Sequence, residues 1–160
     1  MSLSQYTRFQ LAHSQLEAAI GLYVTDRDRL SAITLAGAAD VLLSQLVLRS
    51  GKPNFTDRVA EKAVAAEGTA AAREVVGQQV NDTLFINQLK HFDDDAQEFI
   101  ELDVDECALA AISKALANYV NLPEHEKNLV LAFKLWIKEN LDPKKYNVEC
   151  DPNWTSPPDA

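Results

Sequence analysis

The sequence predicts an all-α fold, an antiparallel bundle of about six helices with an irregular C-terminal tail. Of the 160 residues, 22 are alanine and 20 are leucine, whereas only five are glycine and six are proline. Alanine and leucine favour helices, and a sandwich or barrel would need more turn residues than this chain has. Apolar residues also recur at steps of three and four, which is the spacing of one helical face.

The first half of the chain contains three helices in this prediction, with boundaries set by residues that cap or stop a helix. They are expected over residues 4–24, 28–50 and 56–66. Thr25 or Asp26 is placed to cap the second helix, and the short break there predicts an antiparallel hairpin. Gly51 followed by Pro53 marks its end. Because the second helix is apolar on most sides, we expect it to be the central and most buried one.

The second half contains three further helices and the tail. The helices are expected over residues 69–91, 104–120 and 123–140. Asp103 and Glu106 have the spacing of a capping box, and Pro123 suits a first helical position. Four of the six prolines follow residue 141. We therefore predict one helical-bundle domain over residues 1–141 and an irregular tail over residues 142–160.

The charge balance is acidic and disfavours a nucleic-acid partner. Lys and Arg number 15 against 24 Asp and Glu, which gives a net charge of −9. A nucleic-acid binder normally needs a basic surface to replace the counterions of phosphate.

The N-terminus lacks a charged leader followed by an apolar run, and Asp40 interrupts the longest apolar stretch, so we expect a cytoplasmic protein without a membrane span.

The sequence contains no recognisable cofactor or metal motif, so none is expected. Cys107 and Cys150 are too few for a disulfide framework or a zinc site and are expected to be free thiols. The acidic run at residues 93–95 lacks the alternating ligands and central glycine of a calcium loop. It is more typical of a solvated loop. A glycine-rich phosphate loop and a Gly-x-Ser-x-Gly elbow are also absent.

The best candidate for chemistry is the cluster Asn87, Lys90 and His91. On a helix these side chains lie three and four residues apart and share one face. A neutral histidine near a lysine can act as a proton shuttle near neutral pH. The alternative is structural, because basic residues in a last helical turn favour the negative end of the helix dipole.

Asp40 is the second candidate, as a binding residue. It is the only charged residue between Leu30 and Arg49. If it faces inward it needs a partner, because burying a lone carboxylate is costly. Lys90 or His91 could supply that partner across a helix interface. Alternatively, Asp40 lies on a narrow solvated stripe of the second helix.

Two segments carry a family resemblance. Residues 31–43, Ser-Ala-Ile-Thr-Leu-Ala-Gly-Ala-Ala-Asp-Val-Leu-Leu, and the later Asn87-x-x-Lys-His-Phe-Asp resemble a group of small bacterial helical proteins similar in layout to the HEPN superfamily. The resemblance covers roughly residues 4–120. It implies a dimeric helical bundle, and many family members are metal-independent ribonucleases with an Arg, often followed by Asn, and then His. His91 and Asn87 match that motif, but Ile86 stands at the arginine position, and an aliphatic side chain cannot stabilise phosphorane charge.

Three functional hypotheses follow. The leading one is a catalytically degenerate HEPN-like homodimer that acts through protein–protein contacts, indicated by the very apolar second helix and the missing arginine. The alternative is a metal-independent ribonuclease of the toxin type that uses His91, assisted by Asn87 and Lys90. A third hypothesis is a small-ligand or nucleotide-binding bundle in which Asp40 and His91 line a cavity.

Overall fold

The computed structural model describes residues 3–67, 73–91 and 98–146 and confirms the all-α prediction for these ranges. Within them the chain forms six helices and no strand. The helices are α1 Arg8–Val24, α2 Arg29–Arg49, α3 Phe55–Glu67, α4 Arg73–Thr83, α5 Val104–Tyr119 and α6 Lys127–Asn140. The chain divides into two compact units, one ending at His125 and the other beginning at Glu126.

Side-chain caps mark where α1, α2 and α5 begin. The Thr7 hydroxyl accepts from the Gln10 backbone N–H, and the Gln10 side chain accepts from the Thr7 N–H, which is a complete capping box for α1. Asp103 caps α5 at the predicted position. Asp28 caps α2, so the predicted cap at Thr25 or Asp26 is wrong, since both of these residues belong to the end of α1.

In the first unit α2 is the central helix, as predicted. It packs against α1 and α5, and α1 also contacts α5. Small side chains make this close packing feasible, and several are almost completely buried, among them Ala32, Ala36, Ala39 and Ala111. Among the described helices α2 alone is long and apolar enough to cross a membrane by length and composition, with a mean hydropathy of 1.6. In this structure it is a core helix.

The end of α4 differs from the prediction. The helix ends at Thr83, and residues 84–90 form turns, whereas the apolar spacing predicts a helix to residue 91. The Phe85 N–H donates to Asp82 O and the Ile86 N–H to Asn81 O, which is the hydrogen-bond pattern of a Schellman motif. Phe85 occupies the left-handed position at φ 55° that glycine usually fills. Because glycine is absent from this position, no residue there predicts the end of the helix.

Ile86 anchors the segment that follows α4 against α2. Its side chain is only 3% exposed. A Cβ atom built on Gly37 of α2 would lie 2.7 Å from Ile86 Cγ2, which is closer than van der Waals contact permits. The missing side chain at Gly37 therefore lets this segment approach the central helix.

The second unit contains α6, which begins later than predicted. The helix starts at Lys127, with Glu126 as its N-cap, and Pro123 lies in the preceding turn. Phe133 is buried, whereas Leu131 and Leu135 are exposed. Residues 147–160 lie outside the described part of the chain, so the predicted tail is seen only in its first residues. The single-domain boundary at residue 141 stays a prediction.

Candidate functional site

The first unit contains a buried polar network between α2, α4 and α5. The Lys114 ammonium donates to Asp40 Oδ2 and, at 3.2 Å, to Asn81 Oδ1. Asn118 Nδ2 donates to the other oxygen of Asp40 at 2.7 Å. Asp40 is 5% exposed and Lys114 is 6% exposed. Both oxygens of the buried carboxylate are therefore satisfied, and its charge is balanced.

Helical spacing and small neighbours bring these groups together. Lys114 and Asn118 are four residues apart on α5, so both side chains reach the same face of that helix. Asp40 lies in the middle of α2, which packs against that face. Ala36 and Ala115 are fully buried. Such short side chains leave room for two long polar ones within a closely packed interface.

Asn118 also ties the start of α3 to the network. Its Oδ1 accepts from the Phe55 backbone N–H at 2.8 Å. Just before it, Asn54 Oδ1 accepts from the Asp57 N–H and Asp57 Oδ2 accepts from the Asn54 N–H, each at 3.0 Å. These reciprocal bonds have the pattern of a capping box. The buried amide of Asn118 therefore positions α3 relative to α5.

Asp57 links the starts of α3 and α4 through an ion pair with Arg73. Burial alone would raise the pKa of Asp57. The hydrogen bonds from Arg73 and from the Asn54 backbone, together with the charge of Arg73, outweigh burial and lower this pKa below its ordinary value. The ionised carboxylate thus helps to hold α3 and α4 side by side.

A cleft of about 440 Å³ opens between α3, α4 and α5. Its volume lies within the range of small-molecule sites. Most of its lining is apolar, including Phe55, Val59, Val76, Val80 and Leu84. Lys114 is the charged residue of this lining, so the buried network meets the cleft at that side chain.

Lys114 lines the cleft and has one more hydrogen-bond donor than its acceptors in the described ranges use. An ammonium group carries three donors and no acceptor. Within the described ranges, Asp40 and Asn81 supply acceptors for two of them. A third N–H can therefore donate to an oxygen or nitrogen atom of a molecule in the cleft. The apolar walls would hold the remainder of that molecule.

The structure separates the two predicted candidates. Asp40 faces inward, but its partners are Lys114 and Asn118, so the predicted pairing with Lys90 or His91 is wrong. The polar side chains that reach Asp40 come from α5, and not from the segment after α4. The interpretation of Asp40 as a solvated residue is also wrong, because the side chain is buried.

The Asn87 cluster lies at the surface, beyond the end of α4. Lys90 and His91 are exposed, and Asn87 is partly buried and donates to Asp82 Oδ1 at 3.3 Å. The His91 N–H donates to Asn87 O, so one helical turn keeps the predicted spacing of the two residues. No interaction joins this cluster to Asp40 within the described ranges. The acidic run at residues 93–95 lies outside them.

Lys114, Asn118 and Asn81 are site residues that the sequence analysis missed. A usable signal was present, because Lys114 is the lone cation of α5, just as Asp40 is the lone anion in the interior of α2. Two mainly apolar helices that carry opposite charges in their interiors are expected to pair those charges if they pack together.

A second polar cluster surrounds Tyr119, which is fully buried. Its hydroxyl lies 2.9 Å from His13 Nδ1, and its ring stacks on Phe9. His125 contacts the Tyr119 ring edge-on, with 6.0 Å between centroids. His13 and His125 are thus partly buried packing residues of the first unit.

Metal binding finds no support within the part of the chain that the structure describes. No group of three or more His, Cys, Asp or Glu side chains is placed there to hold an ion. The described cysteine, Cys107, is buried and free. Burial and the nearby charges of Asp103 and Glu106 raise the pKa of its thiol.

Comparisons with known proteins give no relative from which a function could be inferred. No protein-family model, no curated protein sequence and no solved structure matches this chain. The resemblance to the HEPN superfamily therefore stays a prediction.

Proposed function

We propose that this chain is a small-ligand-binding helical protein whose cleft takes an uncharged, mainly apolar molecule with a hydrogen-bond acceptor. One observation carries the proposal: Lys114, whose ammonium is paired with Asp40, lines an otherwise mostly apolar cleft. Mainly apolar walls with a few polar groups, here Lys114, Gln79 and Thr83, are typical of small-molecule sites. The cleft reaches Lys114 rather than Asp40 or His91, which changes the binding hypothesis drawn from the sequence.

The charge of the network selects the class of ligand. Asp40 already balances Lys114, so a ligand carboxylate or phosphate would place a second anion near a buried carboxylate. Like charges at short range in a poorly hydrated site are unfavourable. A carbonyl, ether or hydroxyl oxygen can accept the remaining N–H without that cost. The same argument disfavours nucleotides.

A neutral fluorescent ketone, 6-propionyl-2-dimethylaminonaphthalene, suits the test because its emission shifts to the blue in apolar surroundings. Ala63 of α3 lines the cleft, whereas Ala65 of the same helix is exposed. Ala63→Phe fills the cleft, and Ala65→Phe is its matched control. We expect saturable binding by the wild type and by Ala65→Phe, and binding weakened about tenfold or more by Ala63→Phe.

Two results would contradict the ligand-binding proposal. One is the absence of saturable probe binding by folded wild-type protein. The other is equal binding by both phenylalanine variants. The anionic probe 8-anilinonaphthalene-1-sulfonate provides the charge test, because the proposal requires it to bind this cleft more weakly than the neutral ketone does.

A second candidate function is association into a homodimer, as the leading sequence hypothesis expects. α2 exposes three large apolar side chains, Leu30, Val41 and Leu48, of which Val41 is 57% exposed. These residues are eleven and seven positions apart, close to three and two full turns, so they form one stripe. An apolar stripe is typical of helix–helix association.

The cytoplasmic location expected from the sequence stays a prediction.

Analytical ultracentrifugation tests this second candidate. We expect a concentration-dependent dimer that Val41→Glu converts into a monomer, because the glutamate would be desolvated at the interface. Leu131→Glu, at an exposed position of α6, is the control and should leave the dimer intact. If the wild-type protein is a monomer at all concentrations, the homodimer hypothesis is excluded.

The ribonuclease alternative gains no support from the described geometry. Ile86, at the arginine position of the resembled motif, is buried against α2 and cannot present a charge. His91 is exposed, and the neighbouring Asn87 donates to Asp82. Incubation of folded protein with mixed RNA tests the alternative, which requires cleavage that His91→Ala abolishes.

A further inference from the structure

We infer that Lys114 acts as a reactive amine that forms an imine with an aldehyde or ketone entering the cleft. The inference rests on the proposed function, because the carbonyl compound must occupy the same cleft. It goes beyond binding in assigning a covalent step and a chemical class of ligand, an apolar carbonyl compound. Lys114 is the amine for this step because it combines burial, a place in the cleft lining and an adjacent carboxylate.

The neighbours of Lys114 supply what imine formation needs. An ammonium group cannot attack a carbonyl until it loses a proton, and Asp40 Oδ2 is hydrogen-bonded to it as the acceptor. Asn118 holds the other oxygen of Asp40 at 2.7 Å and so fixes the carboxylate. Asn81 accepts from the same ammonium at 3.2 Å, which limits the positions that Nζ can adopt.

The step balances without an added reactant. Asp40 takes one proton from the ammonium, and the nitrogen lone pair forms a bond to the carbonyl carbon while the C=O π electrons move to oxygen. A proton passes from nitrogen to that oxygen and gives a carbinolamine. Asp40 returns its proton to the hydroxyl group, which leaves as water, and the nitrogen lone pair forms the C=N bond. Ammonium and carbonyl thus become iminium and water, with no net change in protons or charge.

Conservation of charge favours a carbonyl compound over an acylating one. The iminium retains the positive charge beside Asp40, so the buried carboxylate keeps its counter-ion. Acylation of Lys114 would produce a neutral amide and leave Asp40 buried without a charge partner, which is strongly unfavourable. We therefore assign the site to aldehydes and ketones with an apolar body that fits the mostly apolar walls.

Reductive trapping tests the inference on the full chain. The protein is incubated with octanal and sodium cyanoborohydride, which reduces an iminium to a stable secondary amine, and the modified lysines are identified by peptide mass spectrometry. Lys62 and Lys90 are exposed and serve as internal references. We expect Lys114 to be modified about tenfold faster than either reference, since binding in the cleft raises the local concentration of the aldehyde.

Variants distinguish an effect of the cleft from general lysine reactivity. Ala63→Phe should remove the preference for Lys114 and leave Lys62 and Lys90 modified as before, whereas Ala65→Phe should retain it. Asp40→Asn should slow trapping at Lys114, because the amide cannot take the ammonium proton. Circular dichroism identifies any variant that is unfolded. If Asp40→Asn does not fold, Ala63→Phe still tests the inference, because this substitution does not alter the polar network.

The outcomes separate this inference from the proposed function. Saturable binding of the neutral ketone probe with no preferential trapping at Lys114 would overturn the inference and leave the binding proposal standing. Absence of probe binding would overturn the binding proposal and this inference together. Preferential trapping at Lys114 that persists in Ala63→Phe would also overturn the inference, because the reaction would then not depend on the cleft.

Discussion

Replacement of Asp40 and Lys114, singly and together, should show that the two charges stabilise the fold only as a pair. Lys114→Met leaves the Asp40 carboxylate, which is only 5% exposed, without its cation. We expect the free energy of unfolding to fall by an amount near the upper end of about 3–5 kcal/mol. Asp40→Leu should cost less, near the lower end, because Lys114 lines the cleft and can turn its ammonium toward water.

The double variant should be less damaged than either single one. It removes both charges and leaves only the amides of Asn118 and Asn81 without their present partners. Unsatisfied buried amides cost about 1–3 kcal/mol. The coupling energy between Asp40 and Lys114 should accordingly exceed the larger of the two single losses, about 5 kcal/mol.

Urea unfolding followed by circular dichroism measures these energies, because the described fold is helical throughout. Asp105→Asn is the control. It removes a carboxylate that pairs with Arg29 but is 66% exposed, so the loss should remain below about 1 kcal/mol. Additive losses in the double variant, with no coupling, would show that the two buried side chains do not interact.

Three further predictions concern packing, acid stability and thiol reactivity. Gly37→Ala should destabilise the fold by about 1–3 kcal/mol through its clash with Ile86, whereas Gly21→Ala, with open space around its Cβ, should be neutral or stabilising in thermal unfolding. The lowered pKa of Asp57 contributes stability above about pH 4 that is lost in more acidic solution, so Asp57→Asn should flatten the acid limb of a stability–pH curve. Cys107 should react with iodoacetamide far more slowly in folded than in urea-unfolded protein, because its thiol is buried and its pKa is raised.

The helical fold could be predicted because local signals agree over most of the chain. The alanine and leucine content, the apolar spacing and polar caps such as Asp103 all indicate helices. The prediction failed at the end of α4, where Phe85 adopts the left-handed conformation usually supplied by glycine. The next residue, Ile86, packs beside Gly37 of α2. This contact joins residues that are far apart in the chain. Local periodicity cannot reveal such a contact.

The candidate site could be predicted only in part. Asp40 is a lone charge on an apolar helix, and the need for a partner follows from the cost of burying a carboxylate. The identity of that partner depends on which face of α5 packs against α2, and the two charged residues are 74 positions apart in the sequence. A helix that continued to residue 91 would carry His91 on a face shared with Asn87, but α4 ends at Thr83 and His91 is exposed.

A crystal structure of the protein with the neutral naphthalene ketone bound would test most directly whether the cleft at Lys114 is the functional site. We expect the aromatic body between α3, α4 and α5, with the ketone oxygen within hydrogen-bonding distance of Lys114 Nζ, or its carbon joined to that nitrogen. Lys114 should still pair with Asp40. A probe bound on the exposed stripe of α2, or a cleft that stays empty at saturating probe, would contradict this assignment.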